Sequence, residues 1–171
     1  WDEYDVFRKV PKNMPKQEVL QNFLRFPIVD TPDTFGCHES YARHHEAEVE
    51  ESIPTVGIAT EFLYQAKKYR AGQYNDEIKK ALEHTAEIKS CLNEYRKEEV
   101  DENWLPISIF CEKCHKDTIT MLKWLGGYIL KYACECGHQD EFDFRTKPLV
   151  KLKWRIDWPM RWNYEKVDFE P

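Results

Sequence analysis

KLKWRIDWPMRWNYEKVDFEP, from Lys151 to Pro171, is the most unusual stretch of this chain, and the architecture turns on how it is read. Trp154, Trp158 and Trp162 recur at every fourth residue, with Arg155, Asp157 and Arg161 between them. In an extended segment Trp154 and Trp158 share one face and Asp157 points to the other, so a strand here would present an indole wall with a carboxylate behind it. Indole faces attract ammonium groups, and such a wall suits a substrate with a long apolar stem and a cationic end. The competing reading is a strand whose aromatics pack on a neighbouring helix.

Upstream of Pro148 the texture is that of short β-prone runs. Residues 107 to 110, 118 to 124, 128 to 133 and 141 to 144 read as strands, with Gly126-Gly127 as a hairpin turn. Cys111-Glu-Lys-Cys114 and Cys134-Glu-Cys136 flank that hairpin in the layout of a zinc ribbon. Tetrahedral zinc takes four ligands at about 2.3 Å from sulfur, and a closed thiolate set leaves no open position for water, which makes such an ion structural. The second pair is C-x-C rather than C-x-x-C, so two alternatives stay open: His138 replaces one of the last pair, or the cysteines are free and buried. Cys91 reads as a core cysteine of a helix.

Further upstream, residues 55 to 69 show helical spacing, with Ile58, Phe62 and Leu63 on one side. The patch from Arg70 to Asn75 interrupts it, and a longer helix follows to about Glu98 with Ile78, Ala81, Leu82, Ile88, Leu92 and Tyr95 on its buried side. Together these predict a helical hairpin. Residues 1 to about 30, punctuated by Pro11, Pro15 and Pro27, predict a loop with one brief helix around Val19 to Leu24.

Asp33, Cys37, His38 and His44 form a second candidate metal set. Their D-x3-C-H-x5-H spacing lets a turn bring carboxylate, thiolate and two imidazoles to one tetrahedral point, with His45 as the substitute if the register differs by one. Equally open is a plain structural role: Asp33 capping a turn, Cys37 buried, and the histidines hydrated on a polar helix.

Composition excludes several classes. At 171 residues, 42% hydrophobic and 14% aromatic, the chain can bury a core. No apolar run approaches the roughly 20 residues that span a bilayer and no leader pattern is present, so a soluble, cytoplasmic protein with no membrane partner is expected. A net charge of −6 argues against nonspecific nucleic-acid binding by bulk attraction. Yet Arg145, Lys147, Lys151, Lys153, Arg155 and Arg161 cluster near the end, either to meet RNA phosphate or as a solvated face of alternating charge. No nucleophilic triad or phosphate-cradling glycine loop occurs, and no residue is assigned a catalytic step.

Lys151 to Pro171 resembles the segment of class I lysyl-tRNA synthetases that precedes a Gly-Lys-Asp-His run. FRKVPKNMP at Phe7, PDTFGCHESYARH at Pro32, EFLYQAKKYRAGQYNDEIKKAL at Glu61 and the four-cysteine cluster resemble the same family in the same order, so the likeness covers nearly the whole chain. It implies an α/β fold: an incomplete Rossmann-type class I synthetase catalytic domain with an inserted helical hairpin and a zinc-ribbon β subdomain. The implied division is 1–53 and 148–171 for the catalytic domain, 54–105 for the hairpin and 106–147 for the ribbon. The implied reaction is ATP- and magnesium-dependent lysine activation and transfer to tRNA, with the remainder of the synthetase as a further partner. Implied metal ligands are Cys111, Cys114, Cys134 and Cys136 for one zinc and Asp33, Cys37, His38 and His44 for a second, and Trp154 is implied to lie beside the bound lysine.

The family's two ATP motifs, of His-x-Gly-His and Lys-Met-Ser-Lys-Ser type, do not occur in these residues. A piece from the middle of a longer enzyme, inactive alone, is therefore expected. A stand-alone zinc-ribbon module that binds RNA without affinity for lysine is the alternative, and a purely structural interaction domain is a third reading.

Overall fold

A computed structural model describes residues 1–167; the last four residues of the 148–171 segment lie outside the described residues. The elements run α1 (Gln17–Gln21), α2 (Tyr41–Ser52), α3 (Gln65–Arg70), α4 (Asn75–Glu83), α5 (Thr85–Glu94), β1 (Ile107–Ile109), β2 (Ile119–Gly126), β3 (Ile129–Cys134), β4 (Gln139–Asp143), β5 (Val150–Leu152) and α6 (Trp154–Glu165), with two short 3-10 turns after Pro27 and Ser52. The fold is thus mixed α/β with two open antiparallel sheets.

The strand expectations hold to within a few residues. β2, β3 and β4 form a meander whose β2–β3 turn carries Gly126 and Gly127 at φ 99° and 56°, a left-handed pair that glycine adopts without steric cost. β1 pairs with β5, Ile109 opposite Val150 and Ile107 opposite Leu152. No parallel strand pair occurs among the described residues.

Three expectations for the helical regions are corrected. Residues 55 to 69 are not one helix: after the turn at 53–56 Gly57 takes φ 79°, the chain runs irregularly through Tyr64, and only Gln65–Arg70 is helical. Ile58, on the same side of the apolar pattern as Phe62 and Leu63, is 56% exposed. The helix expected to reach Glu98 breaks at His84 into α4 and α5, so three short helices stand where a two-helix hairpin was expected, and Cys91 is exposed rather than in the core. Lastly, the tryptophan-rich segment is the helix α6, not a strand. A spacing of four residues fits one helical turn as well as alternate strand positions, and the Asp157 to Arg161 pair at i,i+4 settles it.

One apolar core joins these pieces. Ile78 and Leu82 of α4, Ile107 and Ile109 of β1, Leu130 and Tyr132 of β3, Phe142 of β4 and Leu152 of β5 all belong to it. Each such side chain, fully buried, stabilises the fold by roughly 1.5–3 kcal/mol. Tyr4 brings the N-terminal segment into the same core, and a smaller cluster of Phe7, Val10, Met14 and Leu20 packs around α1.

Polar groups lock the helices to that core. Glu3 accepts hydrogen bonds from the Gln65 and Ala66 backbone N–H groups, at 3.2 and 2.9 Å, and so caps α3, whose own Tyr64 cannot. The Tyr69 hydroxyl donates to Asp157 and accepts from the Leu152 backbone N–H at 3.2 Å, which ties α6 to α3 and β5. Arg161, 4% exposed, completes the junction through Asp157 at 3.3 Å and Asp2 at 2.8 Å. A buried charge is tolerated here because each is ion-paired, and Tyr69 also hydrogen-bonds Asp157, while Arg161 Nε and Nη2 find no hydrogen-bond partner.

Candidate metal centres and a cationic cleft

The four cysteines of the meander converge. Cys111 to Cys136 and Cys114 to Cys134 sulfur distances are 3.7 and 3.6 Å, and all four sulfurs lie within 4.8 Å of one another. Sulfurs held at about 2.3 Å from a tetrahedral ion sit about 3.8 Å apart, whereas a disulfide needs about 2.05 Å, so the spacing fits a metal and not a bridge. Two tight turns produce it. The His115 N–H donates to the Cys111 carbonyl at 2.8 Å and the Gly137 N–H to the Cys134 carbonyl at 2.9 Å. Both residues have positive φ, 60° and 83°, so His115 stands where glycine is the easier occupant.

Protonation of the metal-free set is uneven. Burial pushes the Cys114 thiol up, reinforced by the other three cysteines, whereas at Cys134 burial is outweighed by hydrogen bonds from Thr118, the Cys136 backbone and the neighbouring thiols, which bring it down. His138 stays apart from this set and groups with Glu112 and Asp140.

Asp33, Cys37, His38 and His44 also converge, their ligand atoms within 4.8 Å of one another. The Cys37 sulfur lies 3.1 Å from His44 Nδ1, 3.2 Å from His38 Nδ1 and 3.4 Å from an Asp33 oxygen. Asp33 orders the loop, accepting from the Phe35, Cys37 and His38 backbone N–H groups, each at 2.9 Å. Burial works against its ionised form, and those three bonds prevail, holding the carboxyl well below its ordinary range. Desolvation and the adjacent Asp33 carboxylate push the Cys37 thiol up. Ser40 caps α2 by accepting from the Arg43 N–H at 3.1 Å, and the first turn of that helix delivers His44. His45 Nδ1 lies 3.2 Å from Glu48.

Trp154 opens α6 and is 49% exposed, with one face stacked on Trp158 at 5.3 Å between ring centroids. It borders a cleft of about 390 Å³ whose rim also carries Trp104, Arg8, Arg96, Lys151, Lys153 and Arg155. Of the six basic residues that cluster near the end of the chain, four are internally neutralised: Arg145 by Asp143, Lys147 by Glu112 and Asp140, Lys151 by Asp5, and Arg161 by Asp2 and Asp157. Lys153 and Arg155 are not so paired among the described residues. Burial alone brings the Lys153 ammonium down to about 8, and its near neighbour is the Trp104 ring, 4.8 Å from the centroid. Sequence reasoning missed Arg8 and Arg96 as companions of this pair, since nothing local in either segment marks them.

No helix among the described residues is long and apolar enough to cross a membrane. The family described as tRNA synthetases class I (K) matches residues 1–171. Relatives named lysine–tRNA ligase include those of Borrelia garinii subsp. bavariensis, 57% identical over 171 residues, and Treponema pallidum, 49% identical over 173 residues, each covering 100% of this chain and 33% of the relative. A more distant one, from Pyrococcus horikoshii, is 43% identical over 175 residues with the same coverage. The chain spans about a third of the length of these curated relatives. Because the match runs end to end, the chain belongs to the class I (K) tRNA synthetase family.

Proposed function

We propose that this chain forms part of a lysine–tRNA ligase, which condenses lysine with ATP to lysyl-adenylate and pyrophosphate and then passes the lysyl group to tRNA. The observation that carries the reading is the identity of 57% along the whole chain to a protein of that name. In this reading residues 1–53 and 148–171 belong to a Rossmann-type catalytic domain, and 54–105 with 106–147 form the helical and zinc-ribbon insertion. The β1–β5 ladder is then the seam between insertion and catalytic domain. ATP, magnesium, lysine and tRNA are reactants and partners of the whole protein, and the cytoplasm is its place of action.

Zinc fits both converging ligand sets by donor chemistry: four sulfurs in one, and carboxylate, thiolate and two imidazoles in the other. A dication bound in either closed set supplies cross-linking, not Lewis-acid chemistry. Cys111, Cys114, Cys134 and Cys136 would clamp the meander, and Asp33, Cys37, His38 and His44 would fix the loop ahead of α2.

Trp154 offers its uncovered indole face to the aliphatic stem of lysine. Asp157, held by Tyr69 and Arg161, does not reach outward to the substrate and serves to set the rotation of α6 that aims the indole. Replacing Trp154 with alanine in the complete protein is expected to raise the KM for lysine about tenfold, the loss of an interaction of about 1–2 kcal/mol, with little change in the KM for ATP. Steady-state lysine-dependent ATP–pyrophosphate exchange reads both constants, and an equal rise in the two would count against a direct contact.

A further inference from the structure

A lysine side chain becomes a nucleophile when the fold takes it out of water without giving it an anion, because desolvation then disfavours the ammonium and nothing offsets it. Most lysines here that are not fully exposed have oxygen partners: Lys68, Lys79, Lys147 and Lys151 meet carboxylates, and Lys89 donates to the Asp101 and Glu102 carbonyls at 2.9 and 2.8 Å. Lys116 and Lys153 face aromatic rings instead, Phe26 at 5.9 Å and Trp104 at 4.8 Å from the centroid. Of these two, Lys153 lines the cleft of about 390 Å³ that Trp154 borders.

The backbone fixes where Lys153 stands. Its N–H donates to the Pro106 carbonyl at 2.8 Å, and its carbonyl accepts from the Ile156 and Asp157 N–H groups at 2.8 and 2.9 Å, which sets it at the start of the twelve-residue α6. Partial positive charge gathers there, a poor place for an ammonium and no hindrance to a neutral amine. The charged groups that share the cleft are Asp5 and Arg8 of the N-terminal segment, Arg96 after α5, Lys151 of β5 and Arg155 of α6. Asp5 pairs with Lys151, so no carboxylate of that wall is left for Lys153. Burial brings its ammonium down to about 8, which leaves a sizeable neutral share near neutral pH.

The same cleft favours one kind of electrophile. Arg8, Arg96 and Arg155 offer positive charge where a phosphate can lodge, and Trp104 and Trp154 offer flat apolar faces to an acyl chain. We infer that Lys153 is a covalent modification site, acylated on Nζ by acyl phosphates. The Nζ lone pair attacks the acyl carbon, the bond from that carbon to the phosphate oxygen breaks, and the phosphate leaves with the electron pair. Nζ sheds one proton to solvent as the amide forms. Two sources share this chemistry: a free acyl phosphate, and the lysyl-adenylate of the ligase reading, on which the second source rests. Once acylated, Lys153 carries no charge, and the added chain occupies the cleft beside the indole proposed to meet lysine.

The test incubates the complete protein with acetyl phosphate from about pH 6 to about pH 10, digests it, and reads the acetylation rate of each lysine by mass spectrometry. At about pH 7.5 Lys153 is expected to react about tenfold faster than the exposed Lys12 and Lys123, its larger neutral fraction outweighing the weaker nucleophilicity of a less basic amine. The Lys153 rate should level off above about pH 8. In concentrated urea the preference should vanish, since it belongs to the folded cleft. Equal rates for Lys153 and Lys12 in the folded protein would overturn the assignment, as would a preference that survives urea or a Lys153 rate still climbing at about pH 10. Lysine, ATP and magnesium in place of acetyl phosphate separate the sources. A lysyl amide on Lys153 names the protein's own adenylate as a donor, whereas acetylation without it leaves free acyl phosphates, and either upholds the site. Lysine-dependent ATP–pyrophosphate exchange in the same sample tests the ligase reading by itself, because the acetyl phosphate arm does not depend on it.

Discussion

Lys153 shows what a single side chain gives up for its position. Its ammonium is partly buried with no counter-ion among the described residues, against the Trp104 ring, and burial brings its pKa down to about 8. Since that lies below the ordinary lysine value of about 10.4, the unfolded chain holds the proton more tightly. The cost of burying the charge is therefore complete below about pH 8 and is relieved as pH climbs from about 8 to 10.4. Lys153→Met keeps the stem and removes the charge. It should stabilise the protein at pH 7 by on the order of 1–2 kcal/mol, discounted for solvent screening because the group is not fully buried, and the advantage should shrink above pH 8. Urea denaturation at pH 7 and pH 10 measures the difference; a gap that widens with pH would refute the assignment.

At the scale of elements, the meander and the loop after Pro32 are where clustered donor side chains come on top of apolar packing. Chelation should unlock β2 to β4 while α4 and α6, which share the core through Ile78, Leu82, Ile156 and Met160, stay largely formed. The expected signs are loss of β signal in circular dichroism with most helical signal kept, and rapid labelling of Cys111 and Cys134, which are buried beforehand. Unaltered spectra and thiol reactivity after metal removal would rule this out. These β elements were legible in the sequence because paired cysteines, period-two runs and Gly126-Gly127 are local signals that agree. α6 was not, because tryptophan favours strands, Pro159 argues against a helix interior, and the bonds that hold α6 come from Tyr69 and Asp2, remote in sequence. Residues 55 to 69 misled in the opposite sense: the apolar spacing is helical, but Pro54 and Gly57 end the preceding turn and Ile58 finds no core to enter.

For the molecule as a whole, the legible part of the candidate sites was the part that recurs within one short segment. Spacing pointed to the four-cysteine set, whose donors lie on two turns flanking one hairpin, but left Asp33, Cys37, His38 and His44, which share a single loop and helix start, open between a metal set and a structural role. The cationic cleft could not, because Arg8, Arg96, Lys153 and Arg155 come from three separate stretches and only tertiary packing shows which bases lack acids. Of the six clustered bases visible in the sequence, four are paired with carboxylates, and only Lys151 and Arg161 of these are buried.

The pairing of β1 with β5 also dictates an order of assembly. The entire meander lies between those two strands, so Ile109 and Val150 must find each other across a long loop, whose closure is entropically costly until the intervening chain has shortened. Local hairpins close first. Pulse-labelled hydrogen exchange during refolding should therefore protect the amides of Lys123 and Lys131 before that of Lys151, and simultaneous protection would mean the three strands and the ladder nucleate as one. During synthesis the same sequence of events leaves Ile107 and Ile109 waiting, uncovered, for a partner that emerges only after the cysteine hairpin is complete, so ion uptake by the nascent hairpin would set the pace at which that exposed edge is closed.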